Sequence, residues 1–301
     1  MRVLLLGRDG QVGRALRPAL ATLGEVVALG RAEADFERPG ELARIVASHG
    51  PDVIVNAAAY TAVDKAEAEP DRARLVNTEA VAILAAAAQR SGAWLVHYST
   101  DYVFDGGKGE PYVETDEPRP LSVYGTTKHR GDVAVAASGC RHLVFRVSWV
   151  YAAGHANFGA TILRLARERA ALDVVADQVG APTSAALIAE VTAAALRRAM
   201  DGGGNGDTLS GVYHLAPSGS ISRCDYARFI VAEARSRGAR LTLAPEAISP
   251  VRSADFPTAA TRPLNSRLAT DKLWTTFGVA LPSWQDGIRR WVEATLEEEA
   301  A

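Results

Sequence analysis

Short apolar runs alternate with longer amphipathic segments through the first half of the chain. The runs are rich in Val, Leu and Ile and cover residues 3–6, 26–29, 53–55, 94–98 and 143–147. Such runs are typical of strands that are buried on both faces of a parallel sheet. The segments between them predict helices over residues 11–23, 41–48, 71–91 and 123–138. Strand–helix alternation of this length predicts an α/β fold with a Rossmann-type doubly wound parallel sheet.

The second half of the chain is less regular. Helices are predicted over residues 158–169, 184–200, 223–237 and 282–299, and a strand over 211–215. Residues 202–207 (GGGNGD) are predicted to form a flexible loop, and the Pro-containing stretch 249–266 is predicted to be a loop as well. We therefore expect a dinucleotide-binding domain over 1–176 and a smaller C-terminal α/β substrate-binding domain over 177–301. The strand near 211–215 is the element that can return to the first sheet.

Composition and charge narrow the class of protein. The chain has 301 residues, 48% of them apolar, and a net charge of −2 from 33 basic and 35 acidic residues. A nucleic-acid-binding protein usually carries a basic surplus or stripe, so no nucleic-acid partner is expected. No apolar stretch reaches the roughly 18 residues of a membrane helix, so no membrane partner is expected. Cys140 and Cys224 lack metal-ligand spacing, and a cytoplasmic location is expected.

The first predicted strand leads directly into a glycine-rich turn. Gly7, Gly10 and Gly13 form a G-x-x-G-x-x-G pattern, and a helix is expected from Gln11 onward. Glycines let the backbone turn tightly and let a pyrophosphate approach it. The helix N-terminus then presents unpaired N–H groups and a positive dipole end to that anion. The alternative is a turn that binds nothing, but its position between strand and helix favours a dinucleotide site.

The end of the second predicted strand bears on the choice between NAD and NADP. An acidic residue there would hydrogen-bond the ribose 2′-hydroxyl, whereas this chain has Leu29, Gly30 and Arg31. A guanidinium suits a 2′-phosphate, so we expect NADPH as the cofactor, with NADH also accepted. The alternative for Arg31 is a solvated surface charge. Asp35 and Phe36 follow, with a carboxylate and a ring suited to the edge and face of adenine.

Small residues after the third predicted strand leave room for a ligand. The segment 56–61 has the sequence NAAAYT. In open α/β sheets, ligands bind outside the carboxyl ends of the strands. We therefore expect Ala58, Ala59, Tyr60 and Thr61 to line the cofactor site.

A tyrosine and a lysine follow the fourth predicted strand at a spacing that suits carbonyl reduction. Tyr124 and Lys128 are four residues apart in a predicted helix, and so they share one face of it. A reductase needs a proton donor at the carbonyl oxygen, and a neighbouring ammonium helps a phenol, whose ordinary pKa is about 10, to release its proton. Thr100, at the end of the fourth strand, offers a hydroxyl to the same oxygen. The alternative is an ordinary helix surface with a half-buried tyrosine.

Several residues in the second half are candidates for binding a substrate. Trp149 follows the fifth predicted strand, where an indole can stack on a sugar, although a core tryptophan is the alternative. Arg262 and Asn265 lie in the Pro-containing loop and suit a diphosphate, which arginine binds bidentately. Asn157 and Gln178 can donate hydrogen bonds to a base or a sugar.

Other polar residues are interpreted without a ligand. Asp64, Glu67 and Glu69 form an acidic cluster that we interpret as a solvated helix face. His97, inside a predicted strand, is interpreted as a hydrogen-bonded core residue. The sequence has no histidine spacing typical of a metal site, no nucleophile elbow and no P-loop lysine pattern, so metal-dependent, hydrolase and kinase activities are not expected.

The order of these features resembles the extended short-chain dehydrogenase/reductases and, within them, the dTDP-4-dehydrorhamnose reductases. The resemblance covers essentially the whole chain. It is carried by VIVNAAAYTAVD (53–64), HYSTDYVF (97–104), YGTTK (124–128), FRVSWVY (145–151), DQVGAPT (177–183) and RPLNSRL (262–268). It implies reduction of the C4 keto group of dTDP-4-dehydro-L-rhamnose to dTDP-L-rhamnose, with a small-molecule nucleotide-sugar substrate.

The resemblance also implies roles for individual residues around the reacting group. It makes Tyr124 the acid, Lys128 its partner and Thr100 the hydroxyl that tunes them. Thr100 and Asp101 would contact the sugar, and Trp149 would pack beside it.

Contacts with the cofactor are implied along the first half of the chain. They are Gly10, Gln11 and Val12 at the pyrophosphate, Asp35 and Phe36 at the adenine, Ala59, Tyr60 and Thr61 at the middle of the cofactor, and Tyr98 beside the nicotinamide.

Some members of the family have an acid at the position of Gly30, and some form dimers through a magnesium-linked glutamate cluster. Arg14 and Ala15 follow the glycine turn here, so no metal site is expected. A homodimer is a further expectation that the resemblance allows.

Two alternatives stay open at this point. One is another sugar-nucleotide reductase, an epimerase or a dehydratase. A dehydratase commonly has an Asp-Glu pair next to the position of Thr100, where this chain has Asp101 and Tyr102. The other is a non-catalytic NADP-binding regulatory subunit, against which the intact set of Tyr124, Lys128 and Thr100 argues.

Overall fold

Strands follow the apolar runs along the first half of the chain, as the hydrophobic pattern predicts. The computed structural model describes residues 1–201 and 208–300. Its strands are β1 (Arg2–Leu6), β2 (Glu25–Leu29), β3 (Val53–Asn56), β4 (Trp94–Thr100), β5 (His142–Val147), β6 (Val150–Tyr151), β7 (Leu172–Val175), β8 (Val179–Gly180), β9 (Thr183–Ser184), β10 (Gly211–Leu215), β11 (Ile221–Ser222) and β12 (Ile248–Val251).

Helices separate the longer strands. They are α1 (Gln11–Ala21), α2 (Leu42–His49), α3 (Val63–Ala68), α4 (Pro70–Arg74), α5 (Ala80–Ser91), α6 (Val123–Ala137), α7 (Phe158–Glu168), α8 (Ala185–Asp201), α9 (Arg223–Ser236), α10 (Asp271–Phe277) and α11 (Trp284–Ala300). A π-helical turn, Leu75–Glu79, joins α4 to α5. The helix predicted over 71–91 therefore exists, with one wider turn inside it.

One parallel sheet contains β1 to β5 and β10, in the order β10-β5-β4-β3-β1-β2. Successive side chains of a strand point to opposite faces, so Val55 and Val96 enter one core while Ile54 and Leu95 enter the other. Helices α1 and α8 cover the first face, and α2 and α5 cover the second. Because both faces are covered, the strands are largely apolar, and most of their polar residues lie near the carboxyl ends. The predicted α/β fold with a Rossmann-type sheet is confirmed.

Strand β10 returns to the first sheet from the second half of the chain. It lies beside β5, with Gly211 paired to Leu143 and Leu215 paired to Val147. Helix α8 packs against α1 in the same layer. The domain boundary near residue 176 stays a prediction.

Short strands in the second half were not predicted. The expectation that 249–266 is a loop throughout is wrong at its start, because β12 pairs in parallel with β7. Strands β6 and β9 pair with each other, as do β8 and β11. Strands of two to four residues show too little alternation to be recognised, and their pairing depends on tertiary packing. The segment 202–207, predicted as a flexible loop, lies outside the described residues.

A separate apolar cluster forms beyond the sheet. Helices α7, α9 and α11 pack around Tyr226, Trp284 and Trp291. Aromatic side chains of this size bury large areas and stabilise such a cluster. The first residues of α7 and α9 thereby come to lie opposite the carboxyl ends of β4 and β5.

The strand order reverses beside β1, because β2 lies on one side of it and β3 on the other. In open α/β sheets, ligands bind outside the carboxyl ends of the strands at such a point. Gly7 follows β1 and Asn56 ends β3. A ligand site is therefore expected at this edge of the sheet, next to Gly7 and Asn56.

Candidate active site

Two adjoining cavities lie at the carboxyl ends of the strands. The sheet-edge cavity, of about 400 Å³, is lined by the segments that follow β1, β2 and β3. The central cavity, of about 630 Å³, extends from the start of α1 to α6, α7 and α9. Gly10, Ala57, Ala59 and Thr61 line both cavities. A single elongated ligand can therefore extend from one into the other.

The glycine turn forms one wall of these cavities. Gly7 has a φ of +85°, and a Cβ there would lie 2.6 Å from the backbone N of Ala58. Gly13 is buried inside α1, and a Cβ there would lie 2.0 Å from the carbonyl O of Gly7. Gly13 thus lets the helix pack against the turn, while Gly10, Gln11 and Val12 line the central cavity.

The N-terminus of α1 is available for an anion. Its N-cap, Gly10, supplies no side-chain hydrogen bond to the first turn. The Gln11 Oε1 atom beside it is buried and has no partner among the described residues. Free N–H groups and the positive dipole end at this position fit a pyrophosphate.

Charged residues surround the sheet-edge cavity. The side chain of Arg31 is 67% exposed and pairs with Asp35 at 3.8 Å and with Glu37. Arg72, which the sequence analysis did not single out, pairs with Glu37 at 2.7 Å and with Glu69 at 3.0 Å. Two guanidinium groups therefore lie at the same cavity, in a position that suits a phosphate monoester.

A side chain at position 30 would not fit this arrangement. A Cβ on Gly30 would lie 2.2 Å from Oδ2 of Asp9. The acid that some resembling proteins carry at this position would need Asp9 to move. Phe36, only 5% exposed, and Ala58 also line the sheet-edge cavity.

The segment after β3 is held by Asn77 in the π-helical turn. Asn77 Oδ1 accepts from the backbone N of Tyr60 at 2.9 Å, and its Nδ2 donates to the Tyr60 carbonyl at 3.1 Å. The Tyr60 hydroxyl donates to Glu69 at 2.9 Å. Asn77 Nδ2 also donates to Thr127 of α6 at 3.2 Å. A wider helical turn at a functional site is a recurring device, and here it joins the lining of the sheet-edge cavity to α6.

Tyr124 and Lys128 lie on α6 and both line the central cavity. Ser122 caps this helix by accepting from the backbone N of Gly125 at 3.1 Å. A Cβ on Gly125 would lie 2.2 Å from the Tyr102 carbonyl, so the absence of a side chain lets α6 approach the end of β4 closely. The Tyr124 ring then packs edge-on against Tyr102, with ring centroids 5.8 Å apart. The predicted pair is brought to the end of the strand that carries Thr100.

Burial governs the acidity of this pair. It raises the pKa of the Tyr124 phenol, and a hydrogen bond with Thr100 opposes the shift. It lowers the pKa of Lys128 to about 8, and the nearby Asp132 carboxylate opposes that shift. The sequence analysis expects Lys128 to lower the pKa of Tyr124, whereas here the leading opposing effect is the Thr100 hydroxyl. A phenol that retains its proton is the form required of a proton donor.

Asp101 presents an unsatisfied oxygen next to Thr100. The Thr100 hydroxyl donates to Asp101 Oδ1 at 3.0 Å and accepts from the backbone N of Tyr102 at 3.1 Å. Asp101 Oδ2 is buried without a partner among the described residues. Burial raises the pKa of this carboxyl to about 6, although neighbouring hydroxyls lower it. A buried acceptor without a partner, in a residue that lines the central cavity, suits a ligand hydroxyl.

Trp149 lines the central cavity in a strained conformation. Its φ of +47° is the only positive value at a non-glycine position in the part of the chain that the structure describes. Gly180 packs against the indole, since a Cβ there would lie 2.7 Å from Trp149 Cε2. The guanidinium of Arg223 covers the ring, with Cζ 3.6 Å from the centroid. Strain of this kind persists where the surroundings fix a side chain.

A third cavity continues outward from the central one. This outer cavity, of about 1210 Å³, shares Phe158 and Arg223 with the central cavity. Three exposed apolar residues, Leu121, Phe256 and Leu264, contribute to its lining. Such an apolar surface with a cation at its inner end suits a nucleotide.

Arg223 is a candidate residue that the sequence analysis missed. Its guanidinium makes no hydrogen bond or ion pair with the described residues, and stacks on Trp149 and on Phe158, 4.9 Å from the Phe158 centroid. Burial lowers its pKa, and Tyr102, Tyr226 and Asp101 oppose this. No motif surrounds it, because it is simply the first residue of α9. Only the packing of α9 against the strand ends reveals it.

The other predicted substrate residues are engaged within the protein. Arg262 lines the outer cavity and pairs with Asp64 through both terminal nitrogens, at 3.1 and 2.6 Å. Gln178 lines the same cavity and donates to Ser253 Oγ at 2.9 Å. Asn157 lines the central cavity and caps α7.

Asn265 lines none of the three cavities. Its Nδ2 donates to the backbone carbonyls of Lys108 and Glu110 at 2.7 and 2.8 Å. Its Oδ1 accepts from the backbone N of Arg267 at 3.1 Å. Asn265 therefore holds the loop in place through these hydrogen bonds and lies outside the candidate site.

The acidic cluster after β3 is not a solvated helix face. Asp64 holds Arg262, and Glu67 accepts from the backbone N of Val123 at 2.8 Å. Glu69 binds the Tyr60 hydroxyl. These carboxylates attach neighbouring segments to the rim of the cavities, which a one-dimensional charge pattern does not reveal.

The described residues include no group of three or more His, Cys, Asp or Glu side chains arranged to hold a metal ion. Cys140 and Cys224 are buried free thiols. Within the same part of the chain, every helix is too short or too polar to cross a bilayer.

Comparison with known proteins gives consistent matches along the whole chain. The family described as the RmlD substrate binding domain matches residues 1–297. A dTDP-4-dehydrorhamnose reductase from Burkholderia thailandensis is 48% identical over 298 residues, which cover 99% of this chain and 100% of that protein. A protein of the same name from Escherichia coli K12 is 47% identical over 294 residues, covering 96% of each chain.

A solved structure shares the same architecture. It is a dTDP-4-dehydrorhamnose reductase from Bacillus anthracis in complex with NADP, with a TM-score of 0.86 and 32% identity. The match covers 98% of this chain and 99% of that one.

Proposed function

Since the chain belongs to the RmlD substrate binding domain family, we propose that it reduces the C4 keto group of dTDP-4-dehydro-L-rhamnose to give dTDP-L-rhamnose. NADPH supplies the hydride, and Tyr124 supplies the proton. The relatives from Burkholderia and Escherichia are named for this activity, and the match to this chain covers nearly their full length.

One observation carries the proposal. Tyr124, Lys128 and Thr100 line a single cavity that is continuous with the glycine turn. The Thr100 hydroxyl lies close enough to the Tyr124 phenol to lower its pKa, in opposition to the effect of burial. A ketone oxygen placed between them meets a proton donor and a second hydroxyl that stabilises developing charge.

The proton balance of the reduction follows from the state of Tyr124. The phenol keeps its proton in the buried site, because burial raises its pKa. Hydride addition at C4 makes the attached oxygen strongly basic, and that oxygen takes the proton from Tyr124. The resulting phenolate has Thr100 beside it and regains a proton from solvent before the next turnover.

The residues present fit a nicotinamide dinucleotide. Free N–H groups at the start of α1 suit the pyrophosphate, and Gly7 leaves no side chain between the turn and Ala58. Tyr98 and Lys128 line the inner end of the path, where Lys128 would hold the ribose hydroxyls. Arg31 and Arg72 support a preference for NADPH, with NADH as a weaker alternative. The Bacillus anthracis relative is in complex with NADP.

The nucleotide sugar would occupy the central and outer cavities. Asp101 Oδ2, buried without a partner among the described residues, would accept from a sugar hydroxyl. Trp149 would pack beside the sugar. Arg223, at the junction of the two cavities, would bind the diphosphate, with Arg262 at the outer rim.

Three further expectations concern the location, the oligomeric state and the domain boundary of the protein. Reduced thiols and a nucleotide-sugar substrate support a cytoplasmic location. We propose a homodimer, which analytical ultracentrifugation would detect as a species with twice the mass of the monomer. We also propose a cofactor-binding domain that ends near residue 176, with β10 returning to its sheet from the substrate-binding domain.

The test follows NADPH absorbance with purified protein and dTDP-4-dehydro-L-rhamnose generated in situ by upstream enzymes. We expect net NADPH oxidation in step with formation of dTDP-L-rhamnose. An epimerase or dehydratase recycles its cofactor and would show no net oxidation. NADPH binding without turnover would instead favour a regulatory subunit, and co-purification with a large partner would support that alternative.

A further inference from the structure

Asp9 lies where a side chain on residue 30 would have to begin. A Cβ on Gly30 would lie 2.2 Å from Oδ2 of Asp9 and 3.3 Å from its Cγ. The next nearest atom is Nε of Arg8 at 3.4 Å, which is an ordinary van der Waals distance. The backbone of Gly30 does not have a positive φ, so it would itself tolerate a side chain. The carboxylate of Asp9 is therefore the group that excludes one.

The position that Gly30 occupies has a defined role in dinucleotide-binding sheets. It follows β2 directly. An Asp or Glu at the end of this strand commonly accepts a hydrogen bond from the ribose 2′-hydroxyl of NAD. This chain lacks a side chain there, yet a carboxylate oxygen still occupies the adjacent space, because Asp9 supplies it from the glycine turn. Both residues line the sheet-edge cavity.

The carboxylate of Asp9 is held on one side and available on the other. Its Oδ1 lies 3.5 Å from Nε of Arg8, and the side chain is 68% exposed. Arg8 is fixed in turn, since its terminal nitrogens donate to the Ala28 carbonyl at 2.9 Å and to Glu33 at 2.8 Å. Among the described residues, none donates a hydrogen bond to Oδ2 of Asp9. That oxygen can therefore accept from a ligand hydroxyl.

We propose that Asp9 is a specificity-determining residue for the cofactor, because its carboxylate accepts a hydrogen bond from the adenosine 2′-hydroxyl of NADH. This inference rests on the proposed function in one respect, which is that a nicotinamide dinucleotide occupies the sheet-edge cavity. The ribose is bonded to the pyrophosphate, and Asp9 immediately precedes Gly10 at the start of α1. The carboxylate thus lies on the part of the path that the ribose occupies. A hydrogen bond to an ionised group is stronger than one between neutral groups.

The cavity then contains opposing groups for the two cofactors. Arg31 and Arg72 line it and favour the 2′-phosphate of NADPH. A carboxylate beside Gly30 repels that phosphate and favours the 2′-hydroxyl of NADH. Because Asp9 is exposed and lies next to Arg8, its side chain can turn towards that guanidinium when a phosphate enters. The arginines therefore account for binding of NADPH, and Asp9 accounts for binding of NADH.

The direct test is fluorescence titration of the full-length protein without substrate. The ligands are NADH, NADPH and an NADH analogue that lacks the adenosine 2′-hydroxyl. We expect the native protein to bind NADH about tenfold more tightly than this analogue, and Asp9→Ala to bind the two about equally. The affinity of Asp9→Ala for NADPH should be unchanged or up to about threefold higher. An unchanged preference for NADH over the analogue, or an equal loss with all three ligands, overturns the proposal.

A second variant tests whether the place of the carboxylate is what matters. In Asp9→Ala the space next to Gly30 is vacated, so Gly30→Asp in that background returns an acid to the end of β2. We expect the double variant to recover the preference for NADH over the analogue. Gly30→Asp alone must displace Asp9, so its melting temperature should lie below that of the double variant. A double variant that binds like Asp9→Ala contradicts the inference.

Glu33→Gln is the matched control. Glu33 carries the same charge and binds the same Arg8, but it does not line the sheet-edge cavity. Glutamine keeps an oxygen that can accept from the backbone N of Gly30, as Glu33 does at 3.0 Å. The variant should change the preference for NADH over the analogue by less than about twofold. An effect as large as that of Asp9→Ala would reflect the local negative charge rather than a contact, and would overturn the proposal.

The outcome is independent of reduction. The titrations contain no nucleotide sugar, so a protein that binds both cofactors and reduces no sugar refutes the proposed function and leaves the role of Asp9 standing. Active protein in which Asp9→Ala retains the preference for NADH over the analogue refutes the role of Asp9 alone.

Discussion

The guanidinium carbon of Arg223 lies 3.6 Å from the ring centroid of Trp149. A planar cation at this distance is attracted to the face of an indole. The indole is held in turn by Gly180, where no side chain could be accommodated without moving the ring. Arg223 is thus fixed at the junction of the central and outer cavities without an acidic partner among the described residues. A half-buried cation without an ion-pair partner is costly, and the diphosphate of the proposed substrate would remove that cost.

Replacing Arg223 with Met should weaken binding of the nucleotide sugar. Charge-assisted hydrogen bonds of about 2–3 kcal/mol would be lost, which corresponds to a KM increase of roughly 100-fold. NADPH affinity, measured by fluorescence titration, should stay nearly constant. Arg169→Met is the matched control, because Arg169 lines the outer cavity but is exposed. Equal effects of the two variants would refute a special role for Arg223.

Replacing Tyr124 with Phe should abolish turnover without loss of the cofactor. The variant keeps the ring and its packing on Tyr102 and removes only the proton donor. We expect kcat to fall by about 10²- to 10⁴-fold. Tyr102→Phe removes a hydroxyl from the same cavity and should stay within a few-fold of the native rate. A fully active Tyr124→Phe protein would show that the proton comes from elsewhere.

Arg31 should contribute to the choice of cofactor. Its side chain is mostly exposed and shares Glu37 with Arg72, so its effect is reduced by solvent. We expect Arg31→Ala to raise the KM for NADPH by roughly tenfold and to leave the KM for NADH nearly unchanged. Arg38→Ala, on the same loop, is the control. A parallel loss with both cofactors would mean that Arg31 does not contact the 2′-phosphate.

Asp101 should make the stability of the protein depend on pH. Its folded pKa of about 6 lies above the unfolded value of 3.8, so the folded state binds more protons between these values. The contribution of Asp101 to stability is therefore fully present below about pH 4 and is lost as pH rises through about 6. Relative to Asp101→Asn, the native protein should lose about 1 kcal/mol of unfolding free energy between pH 5 and pH 7. Urea unfolding of both proteins at the two pH values measures this difference, and a constant difference would contradict the raised pKa.

The sequence predicted the parts of this molecule that depend on local order. Buried strands and amphipathic helices have a period that is visible in the chain, and the glycine turn occupies a fixed place between β1 and α1. The spacing of Tyr124 and Lys128 likewise follows from one helix. Each of these features depends on residues that lie close together in the sequence.

What the sequence did not predict depends on contacts between distant segments. Arg223 is the first residue of α9, whereas Trp149 and Phe158, on which its guanidinium packs, belong to other segments of the chain. Asp64 and Arg262 are an ion pair across almost 200 positions, so each was interpreted separately. Strands β6, β8, β9 and β11 contain two residues each and have no periodicity of their own.

The wall shared by the sheet-edge and central cavities has a kinetic consequence. A dinucleotide that passes Gly10, Ala57, Ala59 and Thr61 becomes part of the surface on which the sugar rests. Before it arrives, the sugar meets an incomplete pocket; after catalysis, the oxidised dinucleotide lies beneath the product. We therefore expect a compulsory order in which the cofactor is first to enter and last to leave. Product-inhibition patterns would then place dTDP-L-rhamnose, rather than NADP, as the first product released.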